Sequence, residues 1–272
     1  MPAKETFTIL LFGDVFGKPG RAALCQALPD LKKQYAADAV IVNIENMAHG
    51  KGVTLNSMAE LEPLGIDAYT SGNHVFDKTE AAACFEKYPN LIRPANYDGV
   101  WPGSGYYRFA KDGQQFLVLN VNGQVFFEKQ FRGTVGNPFL MIDQLISEQA
   151  QRGDIILVDI HAEATSEKNA FGWYLDGRVT AVVGTHTHIP TADQKILPKG
   201  TAYVTDLGMT GPRDSVLGAP VSNAIDSFLG KGPFVFEVAE SPVTLIQGVC
   251  IKIKNGTAVS IERVYKEVLS AK

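Results

Sequence analysis

"TFTILLFGD", residues 6–14, is an apolar run of strand length that ends in a glycine and a carboxylate. A helical pattern follows in "GRAALCQALPDLKKQY", and a second apolar run then ends in the polar residues of "AVIVNIEN", residues 39–46. Short apolar runs that alternate with helical patterns are typical of α/β proteins, in which helices pack against a sheet. The stretch therefore predicts an α/β fold with polar side chains at its strand ends.

The same arrangement recurs further along the chain. The runs "DAYTSGNH", residues 67–74, and "DIILVDIH", residues 154–161, both end in histidine, and "RVTAVVG", residues 178–184, leads directly into "THTH". Ligands of open α/β sheets collect beyond the carboxyl ends of the strands, so these polar clusters predict one shared site. In the last cluster, a spacing of two places His186 and His188 on the same side of an extended backbone.

Turn signals predict antiparallel strands and a second sheet. Asp112-Gly113 and Asn122-Gly123 lie within residues 92–136, and Asn255-Gly256 lies in the β-branched stretch 234–268. Such pairs favour tight hairpin turns. Further helical patterns are "TLNSMAELEPLG", "DKTEAAACFEKY", "FLMIDQLISEQAQR" and "TSEKNAFGWYL". Large α/β enzymes often use this length for one domain, so we expect a single domain over residues 1–272.

Composition and charge exclude several classes of protein. The net charge of −4 provides no basic field, so we expect no stable nucleic-acid binding. The apolar run near the first residue is shorter than a signal sequence or a membrane span requires, so we expect no membrane partner. Cys25, Cys84 and Cys250 lack the spacing of a disulfide framework or a zinc-thiolate site. A protein of the reducing cytoplasm fits these features.

The strand ends carry oxygen and nitrogen donors without sulfur, which suits Mn²⁺, iron or Zn²⁺. The candidates are Asp14, Glu45, Asn46, Asn73, His74, His161, His186 and His188. A single catalytic metal usually takes about three protein ligands, so this set is too large for one ion and fits a bridged pair. Such a pair lowers the pKa of a bridging water and stabilises the attacking and leaving oxygens at phosphorus. The set therefore predicts phosphoester hydrolysis.

These motifs resemble a known superfamily. "GD", "NIEN", "GNH", "DIH" and "GTHTH", in that order over residues 13–188, resemble the calcineurin-like metallophosphoesterases, whose pattern runs D-x-H, G-D, G-N-H-D/E, H, G-H-x-H. The chain departs from it at Phe16, where a histidine is expected, and at Glu45, where an aspartate is usual. Both departures, with "GDVFGKPGR", "RPANY" and "TDLGMTGPRDSVLG", resemble the YmdB-like subfamily.

The resemblance implies a metallophosphoesterase-type β-sandwich of mixed sheets flanked by helices. It implies a dinuclear-metal phosphodiesterase that hydrolyses 2′,3′-cyclic nucleotides to nucleoside 3′-phosphates through a metal-bridging hydroxide. The cofactor would be two divalent or mixed-valence metal ions, with iron favoured over manganese or zinc, and the partner a small cyclic nucleotide. No substrate-binding residues are assigned.

The resemblance also implies a role for each candidate. One metal would be held by Asp14, Asn46 and His188. The other would be held by Asn73, His161 and His186, with Glu45 as the bridge. His74 would be the proton donor, and an imidazole can protonate a leaving alkoxide at neutral pH. Asn46 would replace the coordination that is lost with the absent histidine at position 16.

Several alternatives stay open at this level. The same ligand set fits a broader phosphomonoesterase, a protein phosphatase or an RNase, and a metal-binding regulatory protein is a further alternative. Asp159 and Asp206 either orient site residues or stabilise strand ends and turns. Arg93 and Asn96 either contact a nucleoside or belong to a rigid turn. His49 is either an ordinary surface or core residue or a loop contact near the substrate.

The aromatic run in "VNGQVFFEKQFRG", residues 121–133, is a candidate contact between the subunits of a homo-oligomer. Large apolar side chains that stand in a turn region need cover from solvent. A second subunit would provide that cover.

Overall fold

The computed structural model describes residues 4–127, 134–234 and 237–269. Its strands are β1 (Thr6–Phe12), β2 (Asp14–Val15), β3 (Ala39–Asn43), β4 (Ala68–Thr70), β5 (Tyr106–Lys111), β6 (Gln114–Asn122), β7 (Ile155–His161), β8 (Ala181–Thr185), β9 (Lys195–Ile196), β10 (Ala202–Val204), β11 (Met209–Pro212), β12 (Val243–Lys254) and β13 (Thr257–Leu269). Its helices are α1 (Gly17–Gln34), α2 (Leu55–Leu61), α3 (Ala81–Lys87), α4 (Pro138–Gln149), α5 (Thr165–Leu175) and α6 (Val221–Phe228), with a short 3₁₀ helix at Glu62–Leu64.

Two mixed sheets pack face to face. Within the described residues, one sheet has seven strands in the order β2-β11-β12-β1-β3-β4, with β13 paired to β12. The other has six strands in the order β5-β6-β7-β8-β10-β9. The predicted α/β sandwich of mixed sheets flanked by helices is confirmed.

The apolar residues of β1 alternate between two cores, as the period of a strand requires. Ile9 and Leu11 face the second sheet and pack in one cluster with Phe116 of β6 and Leu157 of β7. Leu10 points the other way and packs with the helices α1 and α2 on the outer face. A third cluster places α4 and α5 on the outer face of the second sheet.

The topology brings the carboxyl ends of the central strands to one edge of the sandwich. β1 is parallel to β3, and β3 to β4, while β7 is parallel to β6 and β8. The two sheets touch at this edge, because Nδ2 of Asn43 donates to Oδ2 of Asp159 at 3.1 Å. The polar clusters of both sheets therefore meet.

Two of the three predicted hairpin turns are present. Asp112-Gly113 joins β5 to β6 and Asn255-Gly256 joins β12 to β13, and all four residues have positive φ, as a type I′ turn requires. The prediction for Asn122-Gly123 was wrong. β6 ends at Asn122, and its next partner β7 is parallel, which requires a crossover through α4 rather than a tight turn.

The helices predicted from the sequence, α1 to α5, all form. The elements that the sequence did not indicate lie in residues 195–228, where short strands β9 to β11 and helix α6 form. None of the helices in the described ranges has the length and apolar character that crossing a membrane requires.

Candidate active site

The predicted site residues lie on neighbouring strand ends and contact one another. Asp14 begins β2 and His161 ends β7. The remaining residues follow β3, β4 and β8 directly: Glu45, Asn46, Asn73, His74, His186 and His188. The structure therefore brings the whole set to one place, and its members fall into two groups.

Asn73, His161 and His186, the first donor group, meet around Nε2 of His161. That nitrogen lies 2.9 Å from Oδ1 of Asn73 and 3.1 Å from Nδ1 of His186. Oε1 of Glu45 lies 3.2 Å from the same nitrogen. Ligand atoms of Glu45, His161 and His186 all lie within 4.8 Å of one another, which is close enough for a shared cation.

Hydrogen bonds fix the tautomer of His161. The hydroxyl of Thr185 donates its proton to Oδ1 of Asp159 at 2.8 Å. Oγ1 of Thr185 can therefore only accept from Nδ1 of His161, which lies 2.9 Å away, and Nδ1 carries the proton of the ring. Burial raises the pKa of Asp159 to about 6, while hydrogen bonds such as those from Thr70 and Thr185 oppose the rise. Asp159 is therefore ionised at neutral pH. It orients the Thr185 hydroxyl, which fixes the proton of His161 on Nδ1, so Nε2 carries a lone pair. This decides the alternatives for Asp159.

Glu163 gives His186 the same kind of support. Its Oε2 lies 3.0 Å from Nε2 of His186, so that nitrogen donates and Nδ1 is left as a lone pair facing His161. Sequence reasoning missed Glu163. The available signal was its place two residues after His161, the distance at which a loop that leaves a strand end can still return to the site.

The loop that carries His186 and His188 is not extended, and the expectation that both rings lie on the same side was wrong. β8 ends at Thr185, and both histidines adopt left-handed backbone angles, with φ of 100° and 64°. Such angles are strained for residues other than glycine and persist only where surrounding contacts hold them. The rings consequently reach different partners.

The second donor group that the resemblance implies is Asp14, Asn46 and His188, of which Asn46 and His188 contact each other. Nδ2 of Asn46 donates to the carbonyl of Gly50 at 2.9 Å, which turns Oδ1 toward Nε2 of His188, 3.2 Å away. Nδ1 of His188 lies 3.1 Å from the carbonyl of Leu217 and donates to it, so Nε2 carries a lone pair.

The carboxylate of Asp14 is completely buried and poorly compensated. Oδ2 accepts the backbone NH of His186 at 3.1 Å, while Oδ1 accepts no hydrogen bond from any residue in the described ranges. Burial, followed by the charge of Glu45, raises the pKa of Asp14 well above its ordinary value.

The atoms that converge at the centre of the site are acceptors. Each of the three histidines donates a hydrogen bond through one ring nitrogen, away from the centre. The other ring nitrogen therefore carries a lone pair; these nitrogens are Nε2 of His161, Nδ1 of His186 and Nε2 of His188. Nε2 of His161 and Nε2 of His188 face amide or carboxylate oxygens at 2.9 to 3.2 Å, and Nδ1 of His186 faces Nε2 of His161 at 3.1 Å. Acceptors this close repel one another unless a cation lies between them, and their types suit iron, manganese or zinc. The residues therefore fit divalent metal ions.

His74 borders the donor groups without belonging to either. Its backbone NH donates to Oε2 of Glu45 at 3.0 Å, and Nδ1 lies 2.9 Å from Oδ2 of Asp77. Burial lowers the pKa of His74, but the hydrogen bond to Asp77 and the charge of Glu45 outweigh it, and the pKa is raised. Since Nδ1 is held by Asp77, the protonated ring of His74 can donate its second proton from Nε2 at the cavity.

Asp206 supports the loop between the two histidines. Its Oδ2 accepts Nζ of Lys168 at 2.7 Å, and it also accepts the backbone NH and the hydroxyl of Thr187, at 3.1 and 2.8 Å. The side chains of Lys168 and Asp206 are both fully buried. Asp206 therefore positions the loop, which decides the alternatives left open for it.

Arg93 and Asn96 have structural roles. The guanidinium of Arg93 donates to the carbonyls of Pro94 and Pro102, and Nδ2 of Asn96 donates to the carbonyls of Asn122 and Gly136. Neither borders the site cavity described below. His49 is exposed in a left-handed turn.

Part of the aromatic run proposed as a subunit contact, residues 128–133, lies outside the described residues. Of the described part, Phe126 is 75% exposed, whereas Phe127 is buried against the ring of His186, with 4.8 Å between ring centroids. Phe127 therefore belongs to the site wall. The homo-oligomer stays a prediction.

A cavity of about 440 Å³ opens beside the donor groups. Its polar wall consists of Glu45, Asn46, His74, Glu163, His186, Thr187 and His188. Its apolar wall includes Phe16, Leu217, Phe228 and Phe234. This volume falls in the range of small-molecule sites, so the donor atoms are open to a ligand of nucleotide size.

A two-sheet α/β sandwich with carboxylate, amide and imidazole donors at its strand ends has the architecture of the metallophosphoesterases. A putative 5′-nucleotidase of Staphylococcus aureus has this fold, with a TM-score of 0.60 and 15% identity over 98% of this chain and 55% of that one. Residues 10–264 match the family described as YmdB-like protein, and the chain belongs to that family.

Two relatives are more similar. The 2′,3′-cyclic-nucleotide 2′-phosphodiesterase of Bacillus subtilis is 48% identical over 258 residues, which cover 94% of this chain and 96% of the relative. The crystal structure of a novel phosphatase from Mycoplasma pneumoniae superposes with a TM-score of 0.90 at 34% identity and covers 97% of this chain and 95% of that one. The family predicted from the motifs is therefore confirmed.

Proposed function

We propose that this protein is a dinuclear-metal phosphodiesterase that hydrolyses 2′,3′-cyclic nucleotides to nucleoside 3′-phosphates. The observation that carries the proposal is the close approach of acceptor atoms from three histidines, two amides and a carboxylate beside an open cavity. The 48% identical relative that is named for this activity supports the choice of substrate.

The two donor groups would each hold one metal ion, and Glu45 would bridge them. The first donor group is Asn73, His161 and His186. The second is Asn46 and His188, which contact each other, together with Asp14, which the family resemblance assigns to it. When bound, a metal pair supplies Lewis acidity and lowers the pKa of water. Oxygen and nitrogen donors without sulfur suit iron, manganese and zinc alike, and the family resemblance favours iron.

His74 would protonate the leaving oxygen. In the reaction water bonds to phosphorus and loses a proton, and the bond from phosphorus to the 2′ oxygen breaks while the 3′ phosphate stays attached. The 2′ oxygen takes a proton from His74, and the proton lost by water replaces it. Asp77 holds Nδ1 of His74 at 2.9 Å and helps to keep the ring protonated, so the proton on Nε2 is the one that is transferred.

Cys25, Cys84 and Cys250 are all free thiols, which fits the proposed location in the reducing cytoplasm. Cys84 and Cys250 are buried in the apolar core. Burial raises the pKa of each thiol to about 11, so neither is a reactive thiolate at neutral pH.

The substrate assignment is tested by comparing turnover of 2′,3′-cyclic nucleotides, a phosphopeptide, a phosphomonoester and short RNA by the protein loaded with Mn²⁺ or Fe²⁺. We expect the cyclic nucleotides to be turned over fastest, with the 3′-phosphate as product by ³¹P NMR. His74→Ala should lower kcat by about 10²–10⁴-fold and leave two ions bound. Faster turnover of the other substrates would reject the assignment, and hydrolysis of none of them would favour a metal-binding regulatory protein.

The metal assignment is tested by elemental analysis of protein purified without oxygen. The intact chain should contain about two ions per molecule, as the two donor groups require. His186→Ala and His188→Ala should each retain about one ion, and the double variant none. Equal loss of both ions in either single variant would contradict the division of the ligands between two positions.

A further inference from the structure

The walls of the site cavity have opposite chemistry. The polar wall carries the donor groups and His74, and the apolar wall is formed by residues 216–234 together with Phe16. Within the described lining there is no lysine or arginine on the apolar wall to attract a phosphate. A ligand that spans the cavity therefore needs an anionic end at the histidines and an apolar end opposite them.

A tight turn forms the part of the apolar wall nearest the donor groups. Val216 and Ala219 pair through two backbone hydrogen bonds of 2.9 and 3.0 Å, and Leu217 at the tip has a left-handed φ of 53°. The side chain of Leu217 lines the cavity and is 46% exposed. The carbonyl of the same residue holds His188, so this wall is tied directly to the second donor group.

Helix α6 supplies the rest of the apolar wall. Ala224, Ser227 and Phe228 line the cavity, which is the spacing of residues on one helix face. Phe228 is 90% exposed, and Phe234, which lines the cavity a short distance further along the chain, is 45% exposed. The largely exposed ring of Phe228 at the cavity mouth offers a face to a flat ligand.

A nucleobase satisfies both requirements. Stacking of a base on an aromatic side chain contributes about 1–3 kcal/mol and tolerates any base, because every base has a π-face. A cavity of about 440 Å³ has room for one nucleotide whose phosphate lies at the histidines. A nucleotide contacts both walls, whereas a protein partner on α6 would contact the apolar wall alone.

We propose that Leu217, Phe228 and Phe234 form a nucleobase subsite of this protein, which holds the base by stacking while the phosphate lies at the donor groups. The inference rests on the proposed function for its substrate and adds the residues that recognise it. Because stacking does not read the polar edges of a base, the subsite should accept all four bases.

Substrates with and without a base test the subsite. Phe228→Ala should raise the KM for 2′,3′-cyclic AMP about tenfold and change kcat less than twofold. For the base-free analogue methyl β-D-ribofuranoside 2′,3′-cyclic phosphate, KM should be the same in both proteins. Phe228→Trp should restore the KM for 2′,3′-cyclic AMP. Ile225→Ala, an exposed apolar position on the same helix outside the cavity lining, is the matched control and should change neither KM.

An equal rise in KM for both substrates, or no rise for either, would overturn the subsite. Binding of adenosine, followed by NMR line shifts, separates this inference from the proposed function because adenosine has no phosphate. If the intact protein binds adenosine and Phe228→Ala weakens that binding about tenfold, the subsite stands even when no phosphodiester is hydrolysed. If the intact protein hydrolyses 2′,3′-cyclic AMP but Phe228→Ala weakens neither adenosine nor substrate, the subsite fails and the proposed function stands.

Discussion

His161 and His186 are backed by carboxylates, whereas His188 is backed by a backbone carbonyl. Asp159 acts on His161 through Thr185, and Glu163 accepts from His186. His188 instead donates to Leu217, at the tip of a surface turn. A carboxylate partner makes an imidazole a stronger ligand than a neutral carbonyl does. The first donor group should therefore bind its ion more tightly, and the second should exchange its ion more readily.

The pair of Lys168 and Asp206 holds the loop that carries His186 and His188, so it supports both donor groups. Removing this pair should have the largest effect on stability and metal binding. Lys168→Met leaves the buried carboxylate of Asp206 without its partner, so it should lower the free energy of unfolding by about 3–5 kcal/mol. Denaturation in urea measures the change. Lys231→Met breaks an exposed ion pair with Asp226 and should cost less than about 1 kcal/mol.

The comparison between the groups also predicts the metal binding of Lys168→Met at urea concentrations well below its unfolding midpoint. The affinity for both ions should fall by the same factor. Asp206 holds Thr187, which lies between the two histidines, so a shift of the loop displaces both rings. Loss of one ion only, or stability equal to that of the intact chain, would show that Asp206 does not serve as the shared support.

Gly72→Ala should have the next largest effect. A Cβ at this position would lie 2.3 Å from Oε2 of Glu45 and from Nε2 of His161, too close for either to stay in place. A displacement of about 1 Å in a catalytic group can cost 10²-fold, so we expect kcat/KM to fall by about that factor. Gly232→Ala, where a Cβ meets nothing within 4 Å, should leave kcat/KM unchanged.

The ion content of Gly72→Ala sharpens the comparison. The first donor group and the bridge should be disturbed, while Asn46 and His188 keep their contact of 3.2 Å. We expect the variant to retain about one ion, and a variant that retained both ions with full activity would refute the packing argument.

The residues that form the site could be predicted from the sequence only where they follow or end apolar runs. Asp14, Glu45, Asn73, His161 and His186 all follow or end strands, and strand ends at one sheet edge must converge. Glu163 and Leu217 stand in loops, where the path of the chain is set by contacts such as that of His188 with the Leu217 carbonyl. Such long-range contacts cannot be predicted from the local sequence.

The same reasoning explains the errors in the fold. Asn122-Gly123 has the composition of a hairpin turn, but the partner of β6 is chosen by the long-range parallel pairing with β7. Helix α6 does have its apolar residues at the spacing of one helix face, at Val221, Ala224, Ile225 and Phe228, and the sequence interpretation overlooked it. Most of that face is exposed rather than packed in a core.

Glu163→Ala should act on the first donor group alone. Loss of the partner of a metal-ligating histidine typically weakens metal binding about 10–100-fold, and we expect that range for one ion of the pair. Glu163→Gln keeps an acceptor for Nε2 of His186 and should restore most of the affinity. Glu148→Ala, which removes an exposed carboxylate of α4, is the control and should change nothing.

Double variants identify the ion that is weakened. Glu163→Ala combined with His186→Ala should bind metal no more weakly than His186→Ala alone, because both changes act on one ligand. Combined with His188→Ala, it should leave no tightly bound ion. The reverse pattern in equilibrium dialysis would place Glu163 with the second donor group and reject the comparison.

Gly218→Ala should have the smallest effect and act on the second donor group. A Cβ here would lie 2.5 Å from the ring of Phe16, and the φ of 94° is unfavourable for alanine, so the turn must move and take the Leu217 carbonyl from His188. Because a neutral carbonyl is the weaker support, affinity for one ion should fall by about tenfold or less. Gly230→Ala has a similarly strained φ of 70° with nothing within 4 Å of the added Cβ, and it should bind both ions normally. If Gly218→Ala were additive with His188→Ala rather than with His186→Ala, the turn would not act through His188.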